Sequence, residues 1–261
     1  MEQRKIFVIF PCYNEEKNIG LLIEDTLAQG ARLGRDGFDL IAVGIDDCST
    51  DNTRQVILDC AARDDRVKLI THKENMGLCG GLNSAIDYFL QNGSPSSLLV
   101  IMDGDNTHSP QYIHEMISRL HGGFDCVIAS RYRSGADVVG LAAHRAFLSD
   151  MAKLYYKVVL NVPNVLDYTC GYRVYTFGGM ERLVERFGHA PVKEKSFACM
   201  MELLFKLHIT GTKFDEVGFV LRYDQKQGSS KMQVLKTMRK SLVTALRLRR
   251  LKRRESKNNG A

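Results

Sequence analysis

The 261 residues are 44% hydrophobic and 25% charged, the composition of an ordinary globular protein with room for one large domain, and their formal net charge is +6. The seven cysteines are scattered, odd in number and never in a C-x-x-C pair, which argues against a disulfide framework or a thiolate metal site and favours a reducing cytoplasm. Because the sequence has no basic-then-apolar leader and no run of eighteen apolar residues, we expect neither a secretion signal nor a membrane span.

The first half of the chain alternates apolar strands with amphipathic helices. Strands are predicted at Lys5 to Phe10, Asp39 to Ile45, Val67 to Ile70, Leu98 to Met102 and Asp125 to Ala129. This alternation implies right-handed crossovers and a parallel sheet, so the loops that follow the strands gather at one edge. Ligands of such folds bind outside the carboxyl ends of the strands, and we expect the site there.

Acidic residues follow the second and the fourth predicted strand. Asp46 and Asp47 end the second strand, and Asp103-Gly104-Asp105 follows the fourth. Two carboxylates this close repel each other unless a cation lies between them, and Mg²⁺ or Mn²⁺ favours oxygen ligands. An acidic surface turn is the alternative. The buried strand before the motif, and a glycine that lets a ligand approach the backbone, favour a metal site.

The second half is less regular and is predicted to pack on the sheet as the acceptor side of the same domain. Its elements are predicted to be helices at Leu141 to Val159, Gly179 to Arg186 and Phe197 to Leu207, and a strand at Phe214 to Tyr223. Arg145 and Ser149 lie one turn apart in the first helix and share a face. A functional role and a surface salt bridge stay open for Arg145.

Basic residues are concentrated at the C-terminus. Residues 231–261 hold eleven Lys or Arg and one acid, whereas the rest of the chain holds 25 basic and 29 acidic residues. The segment up to Arg254 has no Pro or Gly, and an apolar helical stripe runs along it: Leu235, Met238, Leu242 and Leu246. Such a helix suits an anionic membrane surface, and a solvated or dimer-packing helix with a disordered basic end is the alternative. Because no aromatic residue interleaves with the basic ones, we expect no nucleic-acid partner.

Six motifs carry a resemblance to a known family. They are Pro11-Cys12-Tyr13-Asn14-Glu15, Asp46-Asp47-Cys48-Ser49-Thr50-Asp51, Asp103-Gly104-Asp105, Ala129-Ser130-Arg131-Tyr132, Asp167-Tyr168-Thr169-Cys170-Gly171-Tyr172-Arg173 and Gly228-Ser229-Ser230-Lys231. In this order they resemble the inverting family-two glycosyltransferases, and the last two are most similar to the dolichol-phosphate mannose synthase and polyprenyl-phosphate glycosyltransferase branch. The resemblance runs from about residue 5 to 233.

This resemblance implies an α/β fold of the GT-A type: a Rossmann-like, mainly parallel sheet with helices on both faces. We place the GT-A domain at 1–230 and the basic amphipathic C-terminal helix, with a disordered end, at 231–261. The implied activity is metal-dependent, inverting transfer of a sugar from a GDP- or UDP-linked donor to a polyprenyl phosphate, by a protein peripheral to the cytoplasmic face of a membrane.

The resemblance also assigns roles to individual residues. The nucleotide-sugar site comprises Pro11, Tyr13, Glu15, Asp46, Asp47, Asp103 and Gly104. The metal, Mg²⁺ or Mn²⁺, is assigned to Asp103 and Asp105. The acceptor phosphate is assigned to Arg131, Arg145 and Ser149, and catalysis to Asp105, Arg131 and Arg145. A planar arginine fork matches phosphate oxygens with paired hydrogen bonds, which agrees with this assignment.

The nature of the acceptor decides whether a general base is needed. An anionic phosphate needs none, whereas a sugar hydroxyl needs one, and Asp167 or Glu202 is then the candidate. A family-two enzyme that acts on a glycan or another lipid, and a non-catalytic nucleotide-sugar-binding protein, are the alternatives to the leading hypothesis. A homo-oligomeric assembly stays open.

Two positions depart from the pattern of the polyprenyl-phosphate branch. Thr107 stands two residues after the second metal Asp, where relatives often have Gln. Gln225 stands three residues before the glycine of the last motif, where relatives tend to have Arg. Arg222 and Lys226 lie nearby in the sequence as substitutes.

Overall fold

The computed structural model describes residues 4–140, 143–225 and 234–258, with the side chains of 143–147, 234–239 and 253–258 outside the description. Its strands, in chain order, are β1 (Arg4–Cys12), β2 (Phe38–Asp46), β3 (Val67–Thr71), β4 (Leu98–Ile101), β5 (Cys126–Ser130), β6 (Asp137–Val139), β7 (Arg173–Thr176), β8 (Phe214–Gly218) and β9 (Val220–Arg222). Seven of them form one sheet in the order β3-β2-β1-β4-β7-β5-β8, and β6 pairs with β9. All pairs are parallel except those of β7, so the predicted mainly parallel α/β sheet is confirmed.

Helices connect most of the strands and cover the sheet. They are α1 (Ile19–Ala28), α2 (Gly30–Arg35), α3 (Thr53–Arg63), α4 (Gly77–Asn92), α5 (Ile113–Leu120), α6 (Ala143–Leu160), α7 (Phe177–Phe187), α8 (Cys199–Ile209) and α9 (Val234–Asn258). The core lies along the central strands, where Ile6 to Phe10 and Leu99 to Met102 are buried. These unbroken apolar runs are typical of parallel strands with both faces covered.

The sheet differs from the prediction at two places. The segment Arg173–Thr176, of which only Arg173 belongs to a quoted motif, is a strand that runs antiparallel between β4 and β5. The single strand predicted over Phe214 to Tyr223 is divided at Phe219, and its second part leaves the main sheet to pair with β6. Phe219 is buried against the rings of His108, Tyr112 and Tyr172, and this packing turns the chain there.

The C-terminal helix α9 packs on α6 and α8. Its described buried positions are Ser241, Thr244, Ala245 and Leu248. The predicted apolar stripe therefore does not form the packed face of α9, because Leu242 is only half-buried and Leu246 is 48% exposed. Among the described residues, no helix has the length and apolar character that a membrane span requires.

Close packing between α4 and the end of β1 has no room for an added methyl group. A Cβ on Gly81 would lie 2.8 Å from Cβ of Pro11, whereas a Cβ on Gly34, in α2, would meet nothing within 4 Å. We expect Gly81→Ala to lower the free energy of unfolding by about 1–3 kcal/mol through overpacking. Gly34→Ala, the matched control, should raise it by about 0.5–1 kcal/mol because alanine favours a helix. Urea denaturation measures both, and equal stability of the two variants would contradict the close packing.

Candidate active site

Three loops at the carboxyl edge of the sheet form the centre of the candidate site. Strand pairing places Cys12 beside Asp46, and Ile9 beside Ile101, two residues before Asp103. A Cβ on Gly104 would lie 2.7 Å from Sγ of Cys12, so the loop after β4 lies directly on the end of β1. The glycine is needed for this close approach. The predicted gathering of the strand-end loops is present in the structure.

Cys12 lies at the meeting point of the acidic residues. Its thiol is buried and donates to the carbonyl oxygen of Phe10 at 3.1 Å. Burial raises the pKa of this thiol well above its ordinary value, and the negative charges of four carboxylates raise it further: Glu15, Asp46, Asp105 and Asp103. The charge of the site is therefore concentrated around one buried side chain, and a cation or a ring of hydrogen-bond donors would stabilise it.

Asp103 and Asp105, the predicted metal residues, differ in their surroundings. The Asp103 side chain is 45% exposed, and Gly171 lies against it so closely that a Cβ there would be 2.6 Å from Oδ1. Oδ1 of Asp105 accepts hydrogen bonds from the Thr107 hydroxyl at 2.7 Å and from its backbone N–H at 3.2 Å. Thr107, which stands where relatives often have Gln, therefore orients the Asp105 carboxylate.

The two carboxylates fit a hard divalent cation that is held with few protein ligands. Mg²⁺ commonly uses one or two carboxylates, keeps several waters and completes its shell with substrate phosphates. Within the described part of the chain, no group of three or more His, Cys, Asp or Glu side chains is placed to hold a metal. His108 does not extend the set, because its ring is buried and stacks on Tyr172, and its Nδ1 accepts from the Asp103 N–H at 3.3 Å.

Asp46 lies in an open cleft of about 480 Å³ beside the acidic centre. The lining residues of the cleft are Asp46, Cys48, Ser49, Arg54, Thr71, His72 and Lys73. Oδ1 of Asp46 accepts from the Ser49 N–H at 3.2 Å. Arg54 and Lys73 were not predicted as site residues, because neither belongs to any of the quoted sequence motifs.

Asp47 is bonded to the protein on both carboxylate oxygens. Its Oδ1 accepts from Nδ1 of His72 at 2.6 Å and from the Met76 N–H at 2.8 Å, and its Oδ2 accepts from the Gly77 N–H at 2.8 Å. Nε2 of His72 lies 2.9 Å from the Ser84 hydroxyl. The carboxylate thus caps the start of α4 and fixes the loop beside the cleft. Any contact of Asp47 with a nucleotide stays a prediction.

Pro11 lies near the end of β1, and the loop that follows it carries Tyr13 and Glu15 and is tied to the loop after β2 and to the start of α3. The Glu15 N–H donates to the Thr53 hydroxyl at 2.7 Å, and Oε2 of Glu15 accepts from Asn18 at 2.7 Å. The Tyr13 side chain is partly exposed at the surface. The predicted nucleotide-site residues therefore lie on neighbouring, mutually bonded loops.

Arg131 leaves the end of β5 and forms a two-bonded ion pair with a buried carboxylate. Its Nε and Nη2 donate to the two oxygens of Asp167, both at 2.7 Å, and Nη2 also donates to the Thr169 hydroxyl at 2.7 Å. Asp167 is fully buried. Burial alone would raise the pKa of Asp167, but the Arg131 guanidinium and the hydrogen bonds from Arg131 and Cys170 outweigh it, so the pKa lies below its ordinary value.

Glu202, the other candidate base, is also engaged by the protein. Its Oε2 accepts from the backbone N–H groups of Lys193 at 2.8 Å and Glu194 at 2.6 Å, and its Oε1 lies 2.9 Å from Nζ of Lys206. The side chain is buried. The oxygens of Glu202 are held by these three donors, and those of Asp167 by Arg131, so neither predicted candidate is arranged as a general base.

Ser149 is linked to the arginine site through Tyr132. The Tyr132 hydroxyl lies 2.6 Å from Oγ of Ser149, and the Arg131 guanidinium lies 5.5 Å from the centre of the Tyr132 ring. Nζ of Lys153 lies 4.2 Å from the same ring centre. The sequence reasoning gave no role to Tyr132 or Lys153, although Tyr132 belongs to one of the quoted motifs. The Arg145 side chain lies outside the description, as does the motif Gly228 to Lys231.

One segment joins the two halves of the site. Asp167 and Thr169 bind Arg131, while Gly171, two residues further, lies against the Asp103 carboxylate. The predicted metal residue and the predicted phosphate residue are thereby brought to opposite ends of one short turn. Arg222, predicted as a substitute for a missing arginine, forms an ion pair with Asp224 at 2.7 Å.

The mainly parallel sheet, with carboxylates and an arginine at the carboxyl ends of its strands, has a GT-A-like fold. Together with the family match, this fold defines the chain as a nucleotide-sugar-dependent glycosyltransferase. The chain belongs to glycosyl transferase family 2, whose model matches residues 7–184. The predicted family and the prediction of a glycosyltransferase are confirmed.

Known proteins resemble the chain in sequence and in fold. Polyprenol monophosphomannose synthase of Mycolicibacterium smegmatis (strain ATCC 700084 / mc(2)155) is 28% identical over 230 residues, which cover 88% of this chain and 81% of the relative. Glucosyl-3-phosphoglycerate synthase from Mycobacterium tuberculosis, solved with Mn²⁺, UDP and glucosyl-3-phosphoglycerate, superposes with a TM-score of 0.67 at 16% identity and covers 94% of this chain and 80% of its own. Mannosyl-3-phosphoglycerate synthase from Rubrobacter xylanophilus gives 0.58 at 15% identity, with 93% and 73% covered.

The buried ion pair predicts how stability depends on pH. The pKa of Asp167 is lower in the folded than in the unfolded chain, so its contribution to stability is present above about pH 4 and is lost as the pH falls below that value. Asp167→Asn should lower stability at neutral pH. Its stability relative to the wild type should recover as the pH falls from about 5 to 2. Urea unfolding of both proteins across this range measures the difference, and a constant difference would refute the depressed pKa.

Proposed function

We propose that this family 2 enzyme moves a sugar, with inversion, from a nucleotide sugar to a polyprenyl phosphate, with a divalent metal, at the cytoplasmic face of a membrane. The observation that carries the proposal is the turn from Asp167 to Gly171, which contacts Arg131 at one end and Asp103 at the other. Similarity over 88% of the chain to a polyprenol monophosphomannose synthase supports the acceptor class. Structures of fold neighbours with Mn²⁺ and UDP support a metal-bound nucleotide donor.

The donor side fits a nucleoside diphosphate. Asp46 and its cleft offer polar contacts to a nucleoside, and Arg54 and Lys73 are among the lining residues. Asp103 and Asp105 are the residues that would hold Mg²⁺ or Mn²⁺, and Thr107 orients the second of them. When bound, the metal would supply positive charge that stabilises the diphosphate leaving group. Asp103 and Asp105 would hold it at the carboxyl edge of the sheet, beside the cleft of Asp46.

The acceptor side fits an anionic phosphate. Asp167 and Thr169 take the hydrogen bonds of Nε and Nη2 of Arg131, which leaves Nη1 of the guanidinium to contact a phosphate. Tyr132 brings the Ser149 hydroxyl to the same region. A phosphate oxygen bound there is already a nucleophile, and it attacks the anomeric carbon on the face opposite to the leaving diphosphate. No proton has to be removed, which agrees with the engagement of Asp167 and Glu202 by neighbouring groups. A glycan hydroxyl as acceptor, the main alternative, would need a base that neither residue supplies.

The metal carboxylates provide the direct test of catalysis. Asp103→Asn and Asp105→Asn should each lower the rate of sugar transfer by about 10²-fold or more, because the charge that stabilises the leaving group is lost. Transfer from UDP- and GDP-linked sugars to a short-chain polyprenyl phosphate, with Mn²⁺ or Mg²⁺, measures the effect. Asp39→Asn, at an exposed position of β2, is the matched control and should behave like the wild type. A folded Asp103→Asn variant with normal turnover would overturn the metal role of Asp103, and a wild type that binds nucleotide sugars but transfers none would favour a nucleotide-sugar-binding protein without catalysis.

The acceptor class is tested on the wild-type protein alone. We expect transfer to a short-chain polyprenyl phosphate and a loss of about 10²-fold or more with the corresponding polyprenol, because the alcohol lacks both the charge and the prepared nucleophile. Thin-layer or mass-spectrometric analysis of the products measures both rates with the same donor. Comparable rates with the alcohol, or with an oligosaccharide, would overturn the phosphate acceptor.

A further inference from the structure

Helix α6 exposes an apolar stripe. Met151, Leu154 and Val158 are 50%, 58% and 67% exposed, and their spacing of three and four residues places them on one helical face. The opposite face of α6 carries buried Tyr156 and Val159 and packs on the body of the protein. Helix α6 therefore has two apolar faces, one that packs on the core and one that faces solvent.

A second exposed apolar pair lies beside this stripe. Val243 and Leu246, one turn apart on α9, are 62% and 48% exposed. The two helices meet where the Tyr155 hydroxyl donates to the carbonyl oxygen of Leu242 at 3.1 Å. Tyr155 neighbours the α6 stripe, and Leu242 lies one turn before Leu246, so both sets border the same line of contact. We call these five residues the α6–α9 patch: Met151, Leu154, Val158, Val243 and Leu246.

Basic residues surround the patch. Lys157 lies on the exposed side of α6, and Lys240 and Arg250 lie on the exposed side of α9, each within one or two turns of a patch residue. Between Lys240 and Lys252 the sequence has five basic residues and no acid. The exposed acid of this part of α6, Asp150, pairs with Lys153 at 3.1 Å. Apolar side chains rimmed by lysine and arginine are the composition that binds an anionic lipid surface.

We infer that the α6–α9 patch docks the enzyme onto an anionic membrane, with its apolar side chains among the lipids and its basic rim on the headgroups. A second copy of the chain is a poorer occupant, because a symmetric contact would bring two basic rims together. The inference rests on the proposed function, because membrane docking helps sugar transfer only if the acceptor is a lipid phosphate. Ser149, bonded to Tyr132 at the acceptor site, lies two residues before Met151 on α6, so the same helix would place the phosphate site at headgroup level.

Vesicle sedimentation of the full chain tests the patch. The wild type should bind vesicles of phosphatidylcholine with phosphatidylglycerol more tightly than vesicles of phosphatidylcholine alone. The triple variant Leu154→Gln, Val158→Gln, Leu246→Gln should bind the anionic vesicles on the order of tenfold more weakly, since three apolar insertions are lost. The double variant Lys157→Glu, Arg250→Glu should lose the preference for anionic vesicles.

Matched controls separate the patch from general effects of substitution. Leu21→Gln on α1 and Leu58→Gln on α3 replace leucines that are 49% and 40% exposed on other helices, and both should bind vesicles like the wild type. Sugar transfer to a short-chain polyprenyl phosphate without vesicles should be unchanged in the triple variant. Transfer to a long-chain acceptor in vesicles should fall with its binding.

Three results would overturn the inference. They are a wild type that sediments with neither vesicle, a triple variant that binds as the wild type does, and a wild-type dimer that the triple variant splits while vesicle binding is unchanged. The proposed function fails separately. A wild type that binds anionic vesicles but transfers sugar to no phosphate acceptor would support the docking surface and refute the acceptor.

Discussion

The proposed acceptor half of the site depends on one buried carboxylate. Asp167 has no exposure to water, and a charge in that position costs several kcal/mol unless opposite charge and hydrogen bonds offset it. Arg131 provides two parallel bonds, and the backbone N–H groups of Thr169 and Cys170 provide two more. The same interactions therefore fix the arginine fork and the turn together. Gly171, the next residue of that turn, is held against Asp103 as a result.

The proposed donor half is organised by another buried carboxylate in a different way. Among the described residues no arginine pairs with Asp47, and its oxygens accept from His72 and from the backbone N–H groups of Met76 and Gly77 at the start of α4. Because these donors come from the residue after β3 and from the start of α4, Asp47 joins the ends of β2 and β3 to the start of α4 beside the cleft. Asp46, its neighbour in sequence, points to the cleft instead. The two adjacent acids therefore have different roles: Asp47 fixes the loops by hydrogen bonds, and Asp46 lines the cleft beside them.

The sequence predicted those parts of the fold that depend on local pattern. The five strands from β1 to β5 were predicted because each is an apolar run followed by a loop and a helix, and the loop of Asp103 followed from the same rule. Strand β7 was not predicted as a strand, because four residues show no periodicity and its neighbours β4 and β5 are distant in sequence. Asp167 was predicted only as a candidate base, whereas the structure places it in an ion pair with Arg131, 36 residues away. Contacts at that separation leave no local pattern.

In helix α9, too, the local sequence pattern does not predict which face packs on the protein. A stripe of leucines in a basic helix predicts which side is apolar, but the helix packs on the body through Ser241, Thr244, Ala245 and Leu248. Thr244 and Arg247 both donate to Glu194, which fixes the rotation of the helix about its axis. With that rotation, Leu246 has to face outward beside the exposed face of α6. The outward apolar surface is therefore a consequence of polar anchoring on the inner side, and its position next to the helix of Ser149 relates it to the acceptor.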